Sequence, residues 1–221
     1  MNLPDALLGG GWYWAAWAVW LPLFARSLFR APWASLKESE QLNVWLGMIV
    51  LLTLLWSLKA GVKPGLSLHL LGATVFTLSF GPHLAFVGLS LVVLGITLNG
   101  AAGYFSFAIN ALLMAGVGVT ISQAVHRLVL SFLPRHFFIY VFINGFLGAF
   151  LAVFGVGITA TCLLAMAGAY EWDYLVSEYL SYLILIGFSE AWLSGMLITL
   201  FVIYRPGWVV TFDDSIYLAN K

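Results

Sequence analysis

The chain alternates between long apolar runs and short polar breaks. The runs cover about residues 12–24 (with an apolar lead-in from Leu7), 43–58, 66–80, 84–98, 105–125, 136–167 and 179–204. Gly81-Pro82 closes the third, Asn99-Gly100 the fourth and Arg205-Pro206 the last, all of them helix-ending signals. A helix needs about 20 residues to cross a bilayer core, and most runs are of that order. The sixth is too long for one upright crossing, which predicts a tilt or a break near Gly155 and Gly157. None shows the two-residue alternation that a membrane barrel requires. The pattern predicts an all-α, polytopic integral membrane protein with seven transmembrane helices. It forms one domain over residues 1–221, without internal repeats, and ends in a short polar-aromatic tail.

Composition removes the main alternatives. Of 221 residues, 62% are hydrophobic and 8% charged, with a mean hydropathy of +1.01. Soluble domains are about 25% charged, so this chain cannot clothe a globular surface in polar groups. The formal net charge is zero, which removes the basic field that a nucleic-acid binder uses, and no nucleic-acid partner is expected. The lone cysteine, Cys162, excludes an intrachain disulfide and a cysteine-cluster metal site. No phosphate-binding G-x-x-x-x-G-K-[ST], H-E-x-x-H or G-x-S-x-G motif is present, so neither a nucleotide site nor an enzymatic activity is expected.

Charge sets the expected orientation, because basic loops stay in the cytoplasm. With seven spans, one side receives Arg26, Arg30, Lys37, Arg127, Arg135, Arg205 and Lys221. The other receives only Lys59 and Lys63, together with Asp5, Glu171, Asp173 and Glu178. The C-terminus is therefore expected in the cytoplasm and the N-terminus outside. The first eight residues carry Asp5 and no basic residue, unlike a signal peptide. Asn2 is too large to promote removal of the initiator, so Met1 is expected to stay with its amine outside.

Polar residues inside apolar runs are costly and each has two readings. His69 lies about one turn into the third span and Asn110 at similar depth in the fifth, both near the outer end. Each is either an interhelical hydrogen-bonding group or part of a site. Glu190, near the middle of the seventh span, is either a functional carboxylate or a structural one bonded to a helix end or a Ser/Thr hydroxyl. Glu190→Gln is expected to be tolerated and Glu190→Leu to be destabilising. His83, His126 and His136 fall at cytoplasmic span ends, where solvation explains them. A bis-histidine haem site needs facing pairs at matched depth, and no haem is expected. Trp12, Trp14, Trp20 and Trp33 read as an interface belt, while Trp17 is deep enough to pack inside.

Four segments in order carry a resemblance. They are the opening Met1-Asn2-Leu3-Pro4-Asp5-Ala6 and Ser67-Leu68-His69-Leu70-Leu71-Gly72 followed by Phe80-Gly81-Pro82. Next come Asn99-Gly100-Ala101-Ala102-Gly103 with Ile109-Asn110-Ala111-Leu112-Leu113-Met114-Ala115, and then Glu190-Ala191-Trp192-Leu193-Ser194-Gly195 with Tyr204-Arg205-Pro206. Together they resemble the CbiM/NikM family, the substrate-capture membrane components of energy-coupling-factor transporters for cobalt and nickel, over most of the chain. The resemblance implies a metal held in a nitrogen-rich plane by the amine of residue 1, the backbone nitrogen and imidazole of a histidine at residue 2, and one histidine of the third span. Such a plane suits Ni²⁺ or Cu²⁺ and can hold Co²⁺. The matching positions are Met1, Asn2 and His69, with Asp5, Asn110 and Glu190 as supporting polar groups.

This chain departs from the family at position 2, where Asn2 replaces the imidazole. The departure implies a softer set of Met1, Asn2, His69 and Asp5, a metal already chelated, or another ligand. The implied setting is the bacterial inner membrane, and the implied partners besides the lipid bilayer are a transmembrane coupling protein and cytoplasmic ATPases. The alternative is a membrane accessory or assembly protein that keeps the fold without transporting metal.

Overall fold

A computed structural model describes residues 2–37, 39–58, 61 and 63–217. Met1, Lys59 and Lys221, which entered the expectations above, lie outside the described residues. Among the described residues regular structure is helical, apart from an isolated bridge at Leu68. Helix α1 spans Gly10–Arg30, α2 Ser39–Ser57, α3 Ala73–Leu98, α4 Phe107–Phe132, α5 Phe137–Met166 and α6 Trp172–Tyr204. Five stretches, all but α1, are long and apolar enough to cross a membrane. α1 is interrupted by Pro22, is rich in tryptophan and ends in Arg26 and Arg30. Helices dominate because a backbone in lipid must satisfy its own hydrogen bonds.

The third apolar run is only half helical, which corrects the expectation of a full helix over 66–80. Residues 66–72 are extended or irregular, and the helix starts at Ala73, after Gly72 in the left-handed region at φ 68°. His69 therefore lies on extended backbone rather than one turn into a helix. α3 in turn is a hairpin. Gly81 adopts φ 77°, ψ 167°, a conformation open essentially to glycine alone. In one straight helix Phe76 and Gly88 would be roughly 18 Å apart. Here a Cβ on Gly88 would lie 2.7 Å from the Phe76 ring. The chain reverses at Gly81-Pro82, giving helices 73–80 and 82–98.

The expected break in the sixth run is also corrected. α5 continues through Gly155 and Gly157, which serve as contact points where Ile121 and Leu183 press on the backbone. The irregularity lies instead in a π-helical stretch, Tyr140–Leu147.

The bundle has two chemically different ends. At one, Asp5 meets Ser106, the Lys63 ammonium lies 3.9 Å from the Tyr174 ring centroid, and the Tyr170 hydroxyl donates to Pro64 O at 2.8 Å. At the other, Arg205 pairs with Glu40 at 4.0 Å and His83 meets Ser27 at 3.4 Å. There the tail caps the helix 73–80: the N–H groups of Val210 and Thr211 donate to Ser79 O and Leu78 O at 3.1 and 3.3 Å. Arg26, Arg30, Lys37 and Arg205 thus gather at the end opposite Asp5 and Lys63.

The hairpin depends on the one backbone conformation at Gly81. Gly81→Ala should cost about 1–3 kcal/mol and lower the melting temperature of the purified protein by several degrees. An unchanged melting curve would show that the reversal does not need glycine.

Candidate functional site

Two non-helical arms enter the bundle from the Asp5/Lys63 end, residues 2–9 and 63–72. Their backbone groups lack helical partners, so side chains from other helices must supply them. Asn110 of α4, fully buried, does this for the first arm. Its Oδ1 accepts from Leu3 N–H at 2.9 Å and its Nδ2 donates to Leu3 O at 3.0 Å. Ser106 adds a third contact, its hydroxyl donating to Leu3 O at 2.6 Å, while its own N–H donates to Asp5 Oδ1 at 2.8 Å. Tyr13 of α1 completes the hold: its hydroxyl donates to Pro4 O and accepts from Leu8 N–H, both at 3.0 Å.

The arms meet at Asn2 and His69, each only 4% exposed. Asn2 N–H donates to Ser67 Oγ at 3.2 Å, and the Asn2 side chain faces His69 Nε2 at 3.1 Å. The alternation of extended backbone turns Ser67 and His69 toward the same side. The imidazole packs against the buried Trp56 ring of α2, with centroids 4.9 Å apart and the planes tilted by 39°. Its Nδ1 lies 3.0 Å from Leu70 O.

These contacts favour one tautomer. A carbonyl only accepts, so Nδ1 carries the proton and Nε2 presents a lone pair toward Asn2. The Asn2 atom facing Nε2 is Oδ1, also an acceptor, while Nδ2 is buried without a partner. A half-turn of the amide places Nδ2–H on Nε2 and resolves both conflicts. The site is thus a buried imidazole lone pair met by a neutral amide. Any metal bound there would replace this hydrogen bond.

Of the residues singled out from sequence, Asn2 and His69 are in contact, and Asn110 and Asp5 hold the first arm. Met1 lies outside the described residues. Asp5 is engaged by Ser106 and pressed against Gly103. Glu190 holds the second arm: its Oε2 accepts from Leu71 N–H and its Oε1 from Gly72 N–H, each at 2.7 Å, with the Ser194 hydroxyl at 3.1 Å. This geometry argues against the expectation that Glu190→Gln is tolerated. Both carboxylate oxygens take backbone donors, and a glutamine would set its NH₂ against one of them. Ser106 and Trp56 were missed from sequence, because a loop serine and a tryptophan in an apolar helix carry no signal of what they touch. Among the described residues no three His, Cys, Asp or Glu side chains gather.

A bundle with five helices long and apolar enough to cross a membrane, into which two side-chain-clamped arms insert, defines a multi-pass membrane protein. A crystal structure of a truncated transition metal transporter matches with a TM-score of 0.78 at 16% identity, covering 92% of this chain and 99% of that one. A second crystal structure of a transition metal transporter gives a TM-score of 0.72 at 17% identity, covering 90% and 91%. At these identities the likeness is one of fold. No curated protein matches the sequence. The sequence model of CbiM, the cobalt uptake substrate-specific transmembrane region, matches residues 2–208. The chain belongs to the CbiM family, which its motifs resemble.

Asn110→Leu removes both ends of the Leu3 clamp and leaves a buried N–H unpaired, at a cost of about 1–3 kcal/mol. Backbone amides of residues 2–8 should then exchange hydrogen for deuterium at least tenfold faster, with α5 and α6 little changed. Equal protection in the variant would mean that Asn110 does not hold the arm.

Proposed function

We propose that this chain is the substrate-capture membrane component of an energy-coupling-factor-type importer for a Co²⁺/Ni²⁺-like transition metal or a small complex of one. The observation that carries the reading is the meeting of Asn2 and His69 between the two arms, with an imidazole lone pair aimed at the start of the chain. In this reading the chain crosses a bacterial inner membrane seven times, the α3 hairpin and the arm before it supplying two of the crossings. The end bearing Arg26, Arg30, Lys37 and Arg205 faces the cytoplasm, in keeping with the positive-inside rule. The two arms open to the outside.

Metal enters by displacing the Asn2 amide from Nε2. His69 then supplies the imidazole, and Met1 and Asn2 supply the amine and amide donors. One imidazole with amine and amide groups binds first-row metals less tightly than two imidazoles would, which suits a metal that keeps some of its own ligands. A transmembrane coupling protein and cytoplasmic ATPases provide the energy for inward release. One observation favours a second reading, an accessory protein without transport: the Asn2 amide already satisfies the Nε2 that a metal would need.

Titration calorimetry of the purified full chain with Ni²⁺ and Co²⁺ separates the two. Capture predicts binding that is lost in His69→Ala and in a chain extended by an N-terminal Gly-Ser. It also predicts at least tenfold tighter binding, about 1.4 kcal/mol, in Asn2→His. Absence of binding in the wild type together with no gain in Asn2→His would establish the accessory reading.

A further inference from the structure

Glu190 reaches the candidate site through a single peptide group. The unit joining Leu70 and Leu71 is used on both sides. Its carbonyl oxygen lies 3.0 Å from Nδ1 of His69, and its N–H donates to Glu190 Oε2 at 2.7 Å. The unit is trans, so its C=O and N–H point in opposite directions. Carboxylate, peptide and imidazole therefore lie in one hydrogen-bonded line that ends on the Nε2 lone pair facing Asn2. The carboxylate is 1% exposed and, among the described residues, forms no ion pair. Its charge is balanced by the Leu71 and Gly72 N–H groups, the Ser194 hydroxyl and the N-terminus of the helix 73–80.

We propose that Glu190 is a positioning residue for His69: through the Leu70–Leu71 peptide it fixes the Nδ1–H tautomer, orients the ring and strengthens Nε2 as a donor to a metal cargo. An anion bonded to an amide N–H draws electron density toward the carbonyl oxygen, making that oxygen a better acceptor. Linked hydrogen bonds strengthen one another by roughly 10–30% each in a low-dielectric interior. Imidazoles that bind metals usually donate their other N–H to a carboxylate or carbonyl, which sets the tautomer and raises ligand basicity. Here the carboxylate acts one peptide removed, from a helix 119 residues away in sequence. Ser194 touches only Oε1 and not the relay oxygen.

The proposal rests on the capture reading only for its effect on metal affinity, since the tautomer is observable without metal. The test is ¹⁵N NMR of the full chain labelled at histidine, with His69→Ala assigning the signal. The wild type should show His69 protonated at Nδ1 and bare at Nε2, and Ser194→Ala should keep that signature. Glu190→Gln should mix the tautomers and, in calorimetry, weaken Ni²⁺ or Co²⁺ binding about tenfold or more, the usual effect of losing an outer partner. A wild-type His69 protonated at Nε2 overturns the proposal without any variant, as does a Glu190→Gln protein that keeps the pure Nδ1–H form. A tautomer shift in a protein that binds no metal supports the relay and removes the capture reading.

Discussion

A backbone that leaves helical geometry inside a membrane bundle must find other hydrogen-bond partners, because an unpaired N–H or C=O there costs several kcal/mol. This constraint shapes the whole half of the molecule at the Asp5/Lys63 end. Two arms break helical geometry, and buried polar side chains supply what the arms lack: Asn110, Ser106 and Tyr13 for residues 2–9, and Glu190 for the start of the helix 73–80. Removing a clamp exposes a group that has nowhere else to bond, so these residues act on stability and on the site together.

The same constraint explains how a chain with few polar groups builds a site at all. The first arm is held from α4 and α1 and the second from α6, and the polar contacts between the arms run through Asn2, Ser67 and His69. The imidazole is gripped on one face by Trp56, tied at Nδ1 to the backbone that Glu190 restrains, and left with its lone pair toward Asn2. A rigid ring with a defined tautomer is what a nitrogen ligand requires. The inserted first arm and the hairpin at Gly81 are therefore parts of one solution, since the short helix 73–80 must begin deep in the bundle for the Leu71 and Gly72 N–H groups just before it to meet a carboxylate from α6.

Much of this was legible in the sequence. The apolar runs give the helices, the punctuation at Gly81-Pro82 gives the reversal, and three polar residues inside apolar runs, His69, Asn110 and Glu190, lie in or against the arms. The extended character of residues 66–72 was not legible, because a continuous apolar run reads the same whether its backbone bonds to itself or to distant side chains. The two-point geometries at Asn110 and Glu190 were equally hidden. They join residues 107 and more positions apart, and at position 190 they set each of two side-chain oxygens against a backbone donor. Gly155 and Gly157 misled in the other direction: glycine in a long apolar helix can mark a break or a close contact, and here it marks contacts with Ile121 and Leu183.

The central claim is that cargo binds where the two arms meet, on Nε2 of His69. X-ray absorption at the nickel edge of the Ni²⁺-loaded full chain tests it most directly, since imidazole rings leave a recognisable outer-shell scattering pattern. The account predicts one imidazole in the wild-type nickel environment and none in His69→Ala. Nickel bound without an imidazole in the wild type, or an imidazole signal that persists in His69→Ala, would contradict it.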